Sequence, residues 1–117
     1  MHCLTRHHSK MTVLDINDKE VFDKAIAEAG DKLVIIDFYA TWCGPCRIMG
    51  PKFHKMADEL TGNIYIKVDV DEGEDIVNTF DIKVMPTFVF IKNGKTIATI
   101  EGNNYDKLHE AAKQHGA

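Results

Sequence analysis

Leu33-Val34-Ile35-Ile36-Asp37-Phe38-Tyr39-Ala40 runs through Thr41 into Trp42-Cys43-Gly44-Pro45-Cys46. The first eight residues are apolar or aromatic, with Asp37 the exception. A strand apolar on both faces belongs in the middle of a sheet covered by helices on each side. Two cysteines separated by two residues can close a disulfide within one helical turn. That small ring can open and reform while the backbone stays in place. A C-x-x-C after a buried strand and before a helix reads as a redox pair. A static disulfide and a zinc clip are the competing readings. A structural zinc site takes about four N or S ligands, and the third cysteine, Cys3, lies in a polar segment far from the pair in sequence.

Working outward, residues 12–16 predict a short strand and a helix from Asn17 or Asp18 to Ala29. Asn17 with Glu20 resembles a capping box. Val21, Phe22, Ala25, Ile26 and Ala29 share one helical face, and Gly30 serves as the C-cap. After the central strand over 32–40, a second helix from about Cys43 to Leu60 carries Met49, Phe53, Met56 and Leu60 on one stripe. Pro51 lies inside it and predicts a kink. A third strand over 63–69 precedes a short helix with Ile76, Val77 and Phe80. Strands over 86–91 and 96–100 flank Asn93-Gly94, the signature of a type I′ hairpin turn. A last helix over about 104–115 buries Tyr105, Leu108 and Ala112. The order βαβαβαββα predicts an α/β fold: a five-stranded mixed sheet, parallel first and antiparallel at its closing hairpin, flanked by four helices.

The chain has 117 residues, 44% of them hydrophobic and 27% charged, which fits one compact domain. That domain is expected over 11–117, behind a disordered tail over 1–10. A net charge of -4 argues against a nucleic-acid partner, which would ask for a basic surface. No apolar run approaches the roughly 18 residues of a membrane-spanning helix. The first ten residues hold no hydrophobic stretch of a secretory signal, and three cysteines do not make an even disulfide framework. An intracellular, reducing compartment is the expectation. His2, Cys3, His7 and His8 form a weak metal-binding constellation in what reads as a solvated tail, so no metal site is expected. His54, His109 and His115 read as surface helix residues. Asp69, Asp71, Glu72, Glu74 and Asp75 read as a solvated loop and helix start, where Glu74 and Asp75 suit the helix dipole.

Cys43 falls at the predicted N-terminus of the second helix, where free N–H groups and the helix dipole favour a thiolate. Cys46 lies one turn further in and is expected to be less exposed. Cys43 would attack a disulfide and Cys46 would resolve the mixed disulfide. Gly44 and Pro45 tune the pair: Pro45 fits a first helical turn, stiffens the ring and favours the dithiol. Asp37 in the central strand is an independent signal. A buried carboxylate is costly and takes a proton at higher pH than usual. It either accepts the Cys46 proton, directly or through water, or forms a structural ion pair with Lys67 on the adjacent strand, and the two roles can coexist. Met85-Pro86 opens a strand. Read alone, it is an ordinary proline without a ladder donor. With a cis bond, the Met85 backbone would face the cysteines and pair with an extended substrate. Trp42 is expected beside Cys43, partly exposed. With Pro45, Met85 and Gly102 it would form a flat, mildly apolar docking surface.

Asp37 to Cys46, Pro51, Lys67-Val68-Asp69-Val70-Asp71, Met85-Pro86-Thr87-Phe88 and Gly102 together resemble the thioredoxin family in its cytosolic, animal-type form, in register over roughly residues 12–115. The resemblance implies a general protein-disulfide reductase and a cis Met85–Pro86 bond. Cys43 would be the nucleophile, Cys46 the resolving thiol, and Asp37 the buried proton acceptor aided by Lys67. Trp42, Met85, Pro86 and Gly102 would bind substrate. No bound cofactor is implied beyond the redox-active disulfide. Electrons would come from NADPH through thioredoxin reductase. Substrates would be of the peroxiredoxin, ribonucleotide reductase and methionine sulfoxide reductase types. The protein would act as a monomer in the cytoplasm, with the nucleus as a second location. Three features depart from the family pattern. Met85 stands where many members have Ile or Thr. Gly73 stands where some animal members carry a further cysteine. The ten-residue tail with Cys3 has no counterpart.

Two other functions fit the same fold. An oxidase or isomerase of a secretory compartment is disfavoured by Gly-Pro between the cysteines, where isomerases of this fold usually carry a histidine. A binding module that holds a partner on the same surface and releases it on oxidation is compatible with the residues as a second role.

Overall fold

Side chains on a strand alternate between faces, and along the central strand that alternation divides the molecule in two. The computed structural model describes residues 13–116. Its elements are β1 (Val13–Asp15), α1 (Lys19–Ala29), β2 (Val34–Tyr39), α2 (Gly44–Glu59), β3 (Ile64–Asp69), α3 (Glu74–Val77), β4 (Thr87–Lys92), β5 (Lys95–Glu101) and α4 (Tyr105–His115). The sheet order is β1-β3-β2-β4-β5, with β1, β3 and β2 parallel and β4 and β5 antiparallel. The tail over 1–10, with its His2, Cys3, His7 and His8, lies outside the described residues.

Val34, Ile36 and Phe38 of β2 point to one face, where they pack with Ile66, Val68 and Val89 beneath Phe22 of α1 and Ile76 of α3. Leu33 and Ile35 point to the other, packed with Tyr65, Phe88 and Phe90 beneath Met49, Phe53 and Met56 of α2 and Leu108 and Ala112 of α4. Every strand residue on the first face of β2 is apolar. On the second, the alternation that starts with Leu33 and Ile35 continues to Asp37 and Tyr39. Asp37 therefore lies in the layer between the sheet and α2, and its register partner on β3 is Lys67.

The local signals act largely as read. The Met49, Phe53 and Met56 stripe is fully buried, and Leu60 is half-buried against the same core. Asn93 and Gly94 have φ of 54° and 77°, as a type I′ turn demands. The helix α2 continues through Pro51. Phe80 lies beyond α3 yet packs edge-on against Phe22, with ring centres 6.1 Å apart.

Three expectations are corrected. The capping box of Asn17 with Glu20 does not form: of the two cap candidates Asp18 is the one used, accepting from the Glu20 and Val21 N–H groups at 2.9 and 3.1 Å. The Asn17 side chain accepts instead from the Asp69 N–H at 2.9 Å, which takes it across to β3. Val21 is 52% exposed, because α1 lays only a narrow arc centred on Phe22 and Ala29 against the sheet. Asp69 is a buried β3 residue rather than part of a solvated loop. Among the described residues, no helix is long and apolar enough to cross a membrane.

Candidate active site

The site forms where β2 ends and α2 begins. Cys43 is the N-cap of α2, and its sulfur accepts from the Cys46 N–H at 3.3 Å. Gly44 and Pro45 occupy the first turn, where a missing proline N–H leaves no bond unmade. Cys43 and Cys46 are joined as a disulfide, with Cα atoms 5.3 Å apart. The pair is therefore a redox unit set on a helix terminus, and negative charge forming on Cys43 meets free N–H groups and the positive end of the helix dipole. In this oxidised state the two are covered almost alike, 7% and 6% exposed, so the expected difference in exposure is absent. Cys43 is turned inward onto Cys46, and both pack with Ala40 against Met85.

The Met85–Pro86 bond is cis. The Met85 carbonyl oxygen lies 3.6 Å from the Cys43 sulfur. Pro86 is buried, and its own carbonyl accepts from the Gly102 N–H at 2.8 Å. Gly102 has φ of +86°, a conformation that glycine adopts without strain. This ties the end of β5 to the segment facing the cysteines. Trp42 is 63% exposed, and its ring N–H donates to Asp71 at 2.9 Å. Asp71 is itself positioned, its backbone N–H donating to Asp69 at 2.9 Å. The chain of bonds from Asn17 through Asp69 and Asp71 to Trp42 thus begins at the entry to α1.

Asp37 is 3% exposed, and its Oδ1 has no hydrogen-bond partner. Burial pushes its carboxyl up to about 7, against the pull of the positive Lys67. The structure does not make these two a contact ion pair. The Lys67 ammonium sits over the Tyr39 ring, 5.5 Å from its centre, where the ring face attracts it. A cavity of about 260 Å³ opens beside Asp37 and is lined by Cys46 as well as Tyr39, Gly50, His54 and Lys67. Asp37, Lys67 and Cys46 are therefore brought to one space, as the sequence led one to expect.

Arg47 and His54 join the site although their residue types alone do not mark them. Both guanidinium Nε and Nη2 of Arg47 donate to the Thr41 carbonyl, at 3.2 and 3.1 Å, and clamp the loop leading to Cys43. His54 is a surface residue as expected, but it also lines the cavity, and burial and Lys67 lower its pKa. The repeat Cys46, Gly50, His54, four residues apart on one helix face, was the available signal. Ile48 and Val84, next to Arg47 and Met85 in sequence, are exposed apolar residues that no sequence period marks. Among the described residues no group of three or more His, Cys, Asp or Glu side chains is arranged to hold a metal ion.

The family model for thioredoxin matches residues 12–114. A thioredoxin of Mus musculus is 42% identical over 100 residues, covering 86% of this chain and 95% of that protein. The crystal structure of thioredoxin NaTrxh from Nicotiana alata superimposes with a TM-score of 0.86 at 31% identity, over 91% of this chain and 94% of that one. A chain from a crystal structure of a ferredoxin:thioredoxin reductase and thioredoxin f2 complex gives 0.82 at 29% identity, over 87% and 93%. The match runs through β2, the cysteine turn and the cis-proline segment alike, so the chain belongs to the thioredoxin family and is a protein thiol-disulfide oxidoreductase.

Proposed function

We propose that this protein is a reductase that passes two electrons at a time to protein disulfides. The observation that carries the direction of attack is the Cys43 sulfur at the N-cap of α2, accepting the Cys46 N–H. In the dithiol form, the Cys43 thiolate attacks one sulfur of a substrate disulfide and the other leaves as a thiolate. Asp37 takes the proton from Cys46, and the Cys46 thiolate attacks the Cys43 sulfur. The substrate's second sulfur leaves, the substrate has gained two electrons, and the Cys43–Cys46 disulfide has formed. Lys67 holds Asp37 ionisable within the layer. Trp42, Met85 and Gly102 form the docking surface, with Pro86 buried behind it and fixing the Met85 backbone that pairs to an extended substrate.

NADPH, acting through thioredoxin reductase, returns the pair to the dithiol. A solved relative whose title names a ferredoxin:thioredoxin reductase complex supports a partner of that general kind. Substrates are of the peroxiredoxin, ribonucleotide reductase and methionine sulfoxide reductase types. The protein works as a monomeric electron carrier in the cytoplasm and the nucleus, with no bound cofactor. The test is insulin reduction driven by NADPH and thioredoxin reductase. The wild-type protein turns over and Cys43→Ser does not; absence of turnover in the wild type defeats the reading. Asp37→Asn is expected to slow resolution by Cys46 while leaving the first attack by Cys43 intact. An unchanged resolution rate would reduce Asp37 to a structural residue.

A further inference from the structure

A buried base that takes a proton in every cycle must also lose it. Asp37 is 3% exposed and has an unpartnered Oδ1, so its way out is the cavity of about 260 Å³ that it shares with Cys46. That volume admits several waters, each needing roughly 30 Å³. Gly50 lines it, and the space beside its Cα is open, since a Cβ built there meets nothing within 4 Å. At the outer wall stands His54, two helical turns beyond Cys46 and open to solvent.

The other titratable groups of the wall do not suit a relay at neutral pH. The Arg47 guanidinium is engaged with the Thr41 carbonyl. Tyr39 is pushed up to about 12 by burial and by Asp15, Asp69 and Asp37, so it keeps its proton. Lys67 lies over the Tyr39 ring and supplies a positive charge. Imidazole is the side chain that both takes and gives a proton near neutrality. The groups acting on His54 are Lys67 from β3, which lowers its pKa, and Asp58 from its own helix, which raises it. Asp37 and Tyr39 of β2 and Arg47 of α2 share its cavity.

We propose that His54 is the proton relay of this site, carrying the proton between Asp37 and bulk solvent through water in the cavity. When substrate is reduced, the proton that Asp37 took from Cys46 leaves by way of His54. When the disulfide is reduced again, the same path returns a proton to Asp37 and thence to the Cys46 thiolate. His54 touches neither sulfur nor substrate. It acts through Asp37, and the proposal rests on the reading of Asp37 as the proton acceptor.

The experiment follows the Asp37 carboxyl by carbon NMR near its midpoint, where the line shape reports how fast the proton exchanges with solvent. It compares the wild type with His54→Ala and His54→Gln, at low and high imidazole. In both variants exchange is expected to slow on the order of 100-fold, the low end of what a positioned proton-transfer group supplies. Added imidazole should restore it. Wild-type exchange in both variants at low imidazole overturns the proposal. So does a loss that imidazole fails to restore, because that marks a change of structure. Mixed-disulfide resolution in Asp37→Asn separates the two layers: an unchanged rate there defeats the Asp37 reading itself. A slowed rate together with wild-type exchange in the His54 variants defeats the relay alone.

Discussion

The two faces of β2 run alike for the first part of the strand and then differ. On the face beneath α1 and α3, Val34, Ile36 and Phe38 are apolar to the end and lie in an unbroken apolar cluster. On the face beneath α2 and α4, Leu33 and Ile35 give way to Asp37 and Tyr39. The change falls at the end of β2 nearest the start of α2, where Cys43 caps the helix. One face is stabilising along its whole length. The other gives up apolar burial at one position to put a carboxyl beside Cys46. A core normally rejects such a group, and Asp37 is retained here with its proton held to about pH 7.

The comparison breaks most directly at Phe38. Its side chain is fully buried, with the Phe80 ring 5.2 Å away. Phe38→Ala should cost about 3–5 kcal/mol in denaturant unfolding, the usual range for a buried phenylalanine. Because Phe38 faces away from the cavity, the midpoint of the Asp37 titration should stay where it is. A shifted midpoint would mean that the two faces are coupled through the strand.

Asp37→Asn tests the opposite face, with the opposite sign. The carboxyl takes its proton near pH 7 when folded and near 3.8 when unfolded, so the folded state binds more protons between those values. Wild-type stability from this group is fully present below about 3.8 and declines as pH rises, levelling off above about 7. The asparagine variant should match the wild type at the acid end and exceed it by roughly 4–5 kcal/mol above neutrality, at about 1.4 kcal/mol for each pH unit of displacement from 3.8 to about 7. Paired unfolding curves across that range measure the difference. A constant gap at all pH values would show that burial does not displace the Asp37 titration.

Much of this division is legible in the sequence, because short periods and isolated exceptions carry it. Unbroken apolar character marks β2 as central, and the single Asp37 within it marks the site. Met49, Phe53 and Met56 mark the buried side of α2. What fails to show depends on partners distant in sequence. Asn17 and Asp18 are adjacent and equally suited to cap α1, and the choice is made by the Asp69 N–H, 52 residues away. Lys67 is correctly placed beside Asp37 by register, yet its ammonium goes to the Tyr39 ring, a direction that strand spacing does not encode. The cis bond before Pro86 is invisible to composition and follows only from the family resemblance of Met85-Pro86-Thr87-Phe88. His54 looks like any exposed histidine on a helix, since a cavity is a property of three packed elements and not of one.

The cap residues give the smallest effect and the finest test of whether the α1 face is only scaffold. Asp18→Ala removes two N–H acceptors at the start of α1 and should cost about 1 kcal/mol, with the site untouched. Asn17→Ala leaves the cap in place but frees the Asp69 N–H, which the rest of the chain to Asp71 and Trp42 depends on. Trp42 is the single tryptophan, so its fluorescence reports that far end directly. The expected result is a stability loss of about 1 kcal/mol in each variant, and a changed emission in Asn17→Ala alone. Equal emission in both would confine the role of Asn17 to the junction of α1 with β3. A change confined to Asn17→Ala would show that the orientation of the indole beside Cys43 is set in part from the stabilising face of the sheet.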